Sequence, residues 1–372
     1  MTTVRLLDLQ GELGLYRAAA LAAMERVVDS QVFIMGPEVA AFERELGAYA
    51  DLPPAVGVSS GTDALLVALM ALGIGPGDEV LTSPFTFFAT AGAVARLGAK
   101  PVFADIDPGT FNLTEAGVRG GLTAATRAVI PVHLFGQLCD LGSFVGEAGR
   151  PAIIEDAAQA LGATLRGQMT GHFGEMSTLS FFPSKNLGGF GDGGAVLVAD
   201  ADLRERLSVL RLHGSKPKYF HHFVGGNFRL DALQAAVLRV KLPLLDELAA
   251  RRQANADRYD ALFAEAGLIE RGLVVPPVRL ADAGHVFNQY VIRSADRDGL
   301  ARALAEAGIE TAIYYPRPLH LQPCFADLGH GPGDFPEAER ACAEVLALPV
   351  HPLLTPAEQV RVVAAIRAHH GL

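Results

Sequence analysis

From Ala55 to Asp200, short apolar runs alternate with stretches of helical periodicity, and this alternation limits the fold more than any other feature of the 372-residue chain. The strand-like runs are Ala55–Val58, Glu79–Ser83, Pro101–Ala104, Arg127–Val132, Ala152–Glu155, Ser177–Phe182 and Ala195–Val198. Helix-patterned stretches such as Asp63–Leu72 and Ala89–Leu97 lie between several of them. Apolar strands linked through helices predict an α/β fold whose mostly parallel sheet, about seven strands wide, is covered on both faces. Turn signals such as Gly75-Pro-Gly-Asp78 and Asp107-Pro-Gly109 separate the units.

Beyond this run a helical region extends from Leu230 to about Ala266, with a break at Pro243. The pattern then restarts on a smaller scale. Val286–Ile292 and Glu310–Tyr314 read as strands, and Arg297–Ala307, Pro336–Leu346 and Pro356–His369 as helices. The spacing predicts a large domain over residues 1–243, including an N-terminal helix at about Gly14–Ser30, and a smaller C-terminal α+β domain over 244–372. The boundary is expected near Pro243–Arg252.

Composition narrows the function classes. Half the residues are apolar and 19% are charged, so a large buried core is expected rather than disorder. The net charge is −10 with no basic block, which argues against nucleic-acid or membrane-surface partners. Cys139, Cys324 and Cys342 are far apart, with no CxxC, so neither a disulfide framework nor a metal site is expected. No apolar run reaches membrane length and no signal-peptide plan opens the chain, so a cytoplasmic location is expected.

Two motifs point to other chemistries. Gly189-Phe-Gly191-Asp-Gly-Gly194 fits the dinucleotide pattern GxGxxG, but its glycines precede a strand instead of opening a helix after one. Gly57-Val-Ser59-Ser-Gly61 fits the GxSxG pattern of serine hydrolases in a suitable strand–turn–helix context. Asp156 followed by His213, His285 or His320 would supply the chain order of such a triad, although eleven histidines make a downstream match easy. The hydrolase reading leaves the lysine segment below unexplained.

Three other segments make sense together. Ser60-Gly-Thr62-Asp63 lies between a strand and a helix, with capping-box spacing, and a helix start of small residues suits a phosphate. Ile153-Ile-Glu-Asp156 ends an apolar strand with two carboxylates, where open α/β sheets bind ligands, and Gln159 follows. Ser180-Phe-Phe-Pro-Ser-Lys185 places one lysine between an apolar strand and flexible glycines. Desolvation there lowers a lysine's pKa and makes it a nucleophile able to form an imine. An acid, a phosphate cup, a stacking aromatic and such a lysine are the inventory of an aldehyde cofactor.

Over nearly its full length the chain resembles the DegT/DnrJ/EryC1/StrS sugar aminotransferases, fold-type-I enzymes dependent on pyridoxal 5'-phosphate (PLP). The matching stretches include Phe33-Ile-Met-Gly-Pro-Glu-Val39, Ser59-Ser-Gly-Thr-Asp-Ala-Leu65, Phe85-Thr-Phe-Phe-Ala-Thr90, His133-Leu-Phe-Gly136, Glu155-Asp-Ala-Ala-Gln-Ala160 and Ser180-Phe-Phe-Pro-Ser-Lys185. Gly226-Asn-Phe-Arg-Leu-Asp231, Gln234-Ala-Ala236 and Pro318-Leu-His320 follow in the same order. The resemblance implies that Lys185 bonds the cofactor and later carries the proton, and that Asp156 pairs with the pyridine nitrogen. It assigns Gln159 to the ring hydroxyl, Phe87 to the ring face, and Gly61, Thr62 and Ser180 to the phosphate. Asn227 would reach the phosphate from a partner subunit, which implies a homodimer with shared sites.

The same resemblance implies transfer of an amino group from glutamate, through pyridoxamine phosphate, to a keto group of a nucleotide-linked sugar, for amino-sugar biosynthesis. Relatives that remove a hydroxyl carry histidine in place of the lysine, so Lys185 argues against that reaction. His213-Gly-Ser-Lys216-Pro-Lys218-Tyr219 resembles the segment of members acting at C3, which favours C3 over C4. Phe33, His213, Lys216, Tyr219 and His320 are the expected substrate contacts. A serine hydrolase, or a PLP-binding regulatory protein without turnover, are the alternatives.

Overall fold

The computed structural model describes residues 3–372. Eleven α-helices run in chain order among these residues: α1 Leu9–Ser30, α2 Gly36–Tyr49, α3 Gly61–Ala71, α4 Ala89–Arg96, α5 Glu115–Gly121, α6 Ala201–Leu210, α7 Ala232–Lys241, α8 Leu245–Glu265, α9 Arg297–Glu306, α10 Pro336–Glu344 and α11 Pro356–His369. The strands are β1 Val56–Val58, β2 Glu79–Thr82, β3 Lys100–Phe103, β4 Thr126–Ile130, β5 Ala152–Asp156, β6 Thr164–Leu165, β7 Gln168–Met169, β8 Met176–Ser180, β9 Gly194–Leu197, β10 Ala283–Gly284, β11 Tyr290–Arg293 and β12 Val345–Leu348.

The seven apolar runs form one sheet in the order β1-β9-β8-β5-β4-β2-β3. β3, β2, β4, β5 and β8 pair in parallel, and only β9 runs antiparallel to its neighbours β8 and β1. The sheet is the mostly parallel one that the alternation predicts. Its central strands read as continuous apolar runs because both faces are covered: Ile153 and Ile154 on β5 are both fully buried. One face packs on α3 through Val67 and Ala68; the other meets α1, α2 and α7 through Val27, Phe42 and Leu238.

Helix starts follow from the sequence. Asp8, Ser60, Thr114, Asp200, Asp296 and Thr355 each accept, through a side-chain oxygen, the N–H three residues on. Each such cap contributes about 1 kcal/mol. Asp8 thereby starts α1 at Leu9, earlier than the Gly14 expected. At Pro243 the helical region turns through one short 3₁₀ segment, Leu242–Leu244, before α8 begins.

The C-terminal part departs from expectation at three points. Val345 and Leu346, read as the tail of a helix over Pro336–Leu346, instead open strand β12, paired antiparallel with β11. A four-residue apolar run buried on both faces carries no period that separates strand from buried helix. Glu310–Tyr314 is not a strand; only Ala312 makes an isolated bridge, to Ala347. Within the expected strand Val286–Ile292, Phe287 has φ +44, outside extended geometry, and pairing begins only at Tyr290. Two apolar cores meet along α8: Leu245 and Ala249 belong to the core of the large sheet, and Ala256, Tyr259 and Phe263 to the C-terminal core with Tyr290 and Ile366. Among the described residues no helix is long and apolar enough to cross a membrane.

Candidate active site

The parallel strands end on one edge of the sheet, and the segments leaving that edge carry the expected cofactor residues. Gly61 follows β1, Phe87 follows β2, Asp156 ends β5 with Gln159 just beyond, Ser180 ends β8, and Lys185 sits in the turn after it. Ligands bind at this end of open α/β sheets because loops diverge there and leave a crevice.

The paired carboxylates of β5 separate because successive side chains on a strand point to opposite faces. Glu155 faces inward, fully buried, and accepts hydrogen bonds from Thr170 Oγ1 (3.0 Å), Gly171 N (2.9 Å) and Phe173 N (3.0 Å). His133 Nδ1 accepts the Cys139 N–H (2.9 Å), so its Nε2 carries the proton and donates to Glu155 Oε2 (2.9 Å). Glu155 is thus consumed by structure.

Asp156 faces the crevice. Thr90 Oγ1 donates to its Oδ2 (2.8 Å), and the Ala158 N–H donates to Oδ1 (3.3 Å). Burial raises its pKa, and the Thr90 and Ala158 hydrogen bonds and the charge of Lys185 pull it back only in part. A carboxylate so desolvated needs a cation beside it to remain ionised.

Lys185 lies half-buried in a turn closed by its own N–H donating to Phe182 O (2.8 Å). Desolvation lowers its ammonium pKa from 10.5 to about 8, against the opposing pull of Asp156. Near neutrality a useful fraction of this amine is therefore a free nucleophile.

Gln159 Oε1 accepts the Phe135 N–H (2.7 Å), which leaves its Nε2 to donate, at 3.4 Å, to Tyr315 OH. Phe87 is 59% exposed, with its ring centroid 6.3 Å from that of Tyr315. At the other side, Ser60 Oγ accepts the Asp63 N–H (3.0 Å) and opens α3, while the Asp63 carboxylate takes the Ser59 hydroxyl (2.6 Å) rather than closing a capping box. A Cβ on Gly61 would lie 2.6 Å from Ser180 Cβ, so only glycine lets the α3 N-terminus approach the end of β8. Thr62 follows in the first turn of α3.

The remaining expected residues lie elsewhere. Asn227 is exposed and bridges to Leu212, in the turn before α7. His213, Lys216 and Tyr219 share the Leu212–Asn227 loop, where Lys216 Nζ pairs with Glu205 of α6 and Tyr219 is 77% exposed. Phe33 is exposed between α1 and α2. His320 is buried, with Nε2 3.2 Å from Glu339 Oε1 and its ring against Phe335. That placement puts it inside the packing, with no face presented to the crevice.

Sequence reasoning missed Thr90, Tyr315 and His133. Thr90 and His133 stood inside quoted motifs, but only the fold brings them to Asp156 and Glu155. Nothing in the serial order signals Tyr315, 156 residues from its partner Gln159. The hydrolase triad does not assemble: Ser59 is bonded to Asp63, His320 faces Glu339, and His285 is stacked on Phe287 at 3.8 Å. Burial first, and then the Arg279 charge, lower the His285 pKa to about 3.

Comparison with known proteins agrees with this geometry. The profile of the DegT/DnrJ/EryC1/StrS aminotransferase family matches residues 16–367. The chain is 47% identical to a Geobacillus stearothermophilus protein called a pleiotropic regulatory protein, over 98% of this chain and 97% of that one. It is 43% identical to the dTDP-3-amino-3,4,6-trideoxy-α-D-glucose transaminase of Streptomyces venezuelae, over 98% and 95% of the two chains. The crystal structure of S. venezuelae DesV in complex with a ketimine intermediate superposes with a TM-score of 0.94 at 42% identity, covering 99% of this chain and 98% of that one.

The cofactor of this fold-type-I group is PLP. The residues present fit it. Asp156 is a buried carboxylate in want of a cation, Lys185 is an amine with a lowered pKa beside it, and Gly61, with no Cβ to clash with Ser180, lets the N-terminus of α3 close on the end of β8. Sheet order, crevice, lysine and whole-chain similarity converge: the chain belongs to the DegT/DnrJ/EryC1/StrS family of PLP-dependent aminotransferases.

Proposed function

We propose that the chain moves an amino group from glutamate to the C3 keto group of a nucleotide-linked sugar, working as a homodimer with shared active sites. The observation that carries the reading is the half-buried Lys185 amine, with its pKa at about 8, beside the buried Asp156 carboxylate at the C-terminal edge of the sheet. The nucleotide-sugar class is supported by the transaminase name of the Streptomyces venezuelae relative, and C3 by the 3-amino sugar in that name.

When bound, the cofactor supplies an electron sink for the carbon that loses or gains the amino nitrogen. Asp156 would hold a proton on the pyridine nitrogen, with Thr90 fixing which oxygen faces it. Lys185 Nζ would bond the aldehyde carbon and, once released, carry a proton to and from the reacting carbon; an amine titrating near 8 serves both directions. Gln159 Nε2 would orient the ring through its hydroxyl. Phe87 would cover one ring face, and its exposure leaves that face free to stack. Gly61, Thr62 and Ser180 would hold the phosphate, where the positive end of α3 favours an anion.

The dimer is supported by the apolar surface. Val224 is 93% exposed and Phe220 67%, in the loop before Asn227, and Val32, Phe33 and Ile34 are exposed beside α1. Clustered apolar exposure of this kind marks an interaction surface. Asn227 on that loop would reach the partner's phosphate site. The hand-over between two cores within α8, from Ala249 to Ala256, supports a large and a small domain that divide a turn or two beyond residue 243.

The test is borohydride reduction of the holoenzyme followed by peptide mass spectrometry, with a screen of dTDP-, UDP- and GDP-linked keto sugars and glutamate. The tag is expected on Lys185, and Lys185→Ala and Lys185→Arg should lose transamination, because arginine forms no imine. A tag on another lysine refutes the assignment. Bleaching by glutamate without turnover of any keto sugar refutes the sugar.

A further inference from the structure

The turn that displays Lys185 is held from below by helix α7. Gly188 is packed so closely that a Cβ there would lie 2.3 Å from the Pro183 carbonyl oxygen, so the chain from Pro183 to Gly188 closes on itself with Lys185 inside the loop. Its far end is anchored at three points. Gly189 N donates to Phe181 O (2.8 Å), Phe190 N donates to Gln234 Oε1 (2.8 Å), and Lys241 Nζ donates to Gly188 O. Gln234 and Lys241 are seven residues apart on α7 and so share one helix face.

Lys241 is an unusual residue for its position. It is 6% exposed, at the end of a helix whose other buried side chains, such as Ala235 and Leu238, are apolar. An apolar residue there would pack without the desolvation that an ammonium costs. The structure spends several groups on keeping the charge. The Tyr16 ring of α1 lies 4.9 Å from Nζ, burial lowers the ammonium pKa to about 8 against the opposing pull of the Glu12 carboxylate of α1, and Arg252 of α8 faces Glu12 at 3.7 Å. Among the described residues the ammonium donates to one acceptor, the Gly188 carbonyl, three residues from Lys185.

We propose that Lys241 is a positioning residue for Lys185: its ammonium, fixed between α1 and α7, clamps the Gly188 carbonyl and thereby sets the place from which Lys185 reaches its reaction partner beside Asp156. The inference rests on the reading of Lys185 as the cofactor-bonding amine. It explains why a buried cation is kept at a site where stability alone favours a hydrophobic side chain.

The test uses Lys241→Met in the full-length chain, which keeps the length of the side chain and removes its charge. Cofactor is stripped and added back, and the rate at which the bond on Lys185 becomes fixable by borohydride is followed between about pH 6 and 11, the range spanning the lowered and ordinary lysine values. In the wild type this rate should rise through about pH 8, where the Lys185 amine loses its proton; Lys241, lowered to about 8 as well, still has N–H donors for Gly188 as a neutral amine. In Lys241→Met it should be slower by about tenfold or more, with its midpoint displaced upward as the freed turn admits water, since small misplacements of a reacting group cost up to ~10²-fold. In turnover, kcat should fall; a loss of folded protein also lowers apparent kcat at constant KM, so the displaced pH midpoint, which no loss of folded protein produces, separates positioning from unfolding. A Lys241→Met chain with wild-type bond formation, pH midpoint and kcat overturns the proposal. Should that variant be insoluble, Lys241→Gln, polar but too short to reach Gly188, carries the same readouts with the same overturning result. A wild-type tag on a lysine other than Lys185 refutes the underlying assignment, and this inference with it, and is seen before any variant is made.

Discussion

Glu155 and Asp156 are chemically alike and adjacent, yet one serves the fold and the other faces the crevice. The difference is the two-residue alternation of a strand combined with what packs on each face: three protein donors beyond His133 saturate Glu155, while Asp156 keeps capacity for a cation. Asp156→Asn should therefore retain the fold and lose activity by at least about 10²-fold, because a charge is removed where it must stabilise the reacting ring. Steady-state kinetics with a thermal melt separates the two effects. The same change has a signed effect on Lys185. The Asp156 charge holds the Lys185 ammonium pKa up against desolvation, so neutralising it should move the midpoint of Lys185 reactivity below about 8. Amine labelling of the cofactor-free chain as a function of pH, read on the Lys185 peptide, measures that shift; an upward movement would show that the Asp156 charge does not support the Lys185 ammonium.

At the scale of elements, the candidate phosphate cup depends on how α3 meets β8. The Ser60 cap starts the helix, but the approach of its first turn to Ser180 is permitted by the missing side chain of Gly61. Gly61→Ala places a Cβ 2.6 Å from Ser180 Cβ, so the helix start must shift. The expected cost is about 1–3 kcal/mol of stability from overpacking, together with weakened cofactor binding. A melt and an absorbance titration with PLP check the two parts, and unchanged affinity would remove Gly61 from the phosphate site. The strand β12 likewise depends on a neighbour. Short elements carry little periodicity of their own, and β12 exists because Val345–Leu348 pairs with Tyr290–Arg293, far away in the chain.

For the whole molecule the exposed apolar loop around Phe220 and Val224, with the exposed Asn227 after it, offers a surface on which a partner can dock. An isologous two-fold dimer that places Asn227 in the partner's site predicts complementation. Lys185→Ala and Asn227→Asp chains, each inactive alone, should recover part of the activity on mixing, because one site of the mixed dimer then holds both native residues. Aspartate is chosen because a carboxylate facing a phosphate repels it. Verified subunit exchange with no recovered activity would place Asn227 in its own chain's function or outside catalysis.

The sequence by itself determined the parallel sheet, its strand boundaries to within two residues, and the residues that line its C-terminal edge. These depend on local information: apolar runs of strand length, helix periodicity between them, capping side chains, and glycines at turns. Tertiary structure alone decided which of two adjacent carboxylates faces the crevice, that Thr90 pins it, and that Tyr315 comes to Gln159. It also decided that His320 is packed inward and that Lys241 grips the turn of Lys185. Each of these is a contact between residues distant in the chain, or a choice of face set by a neighbouring element. Periodicity records that a side chain is buried; it does not record against what.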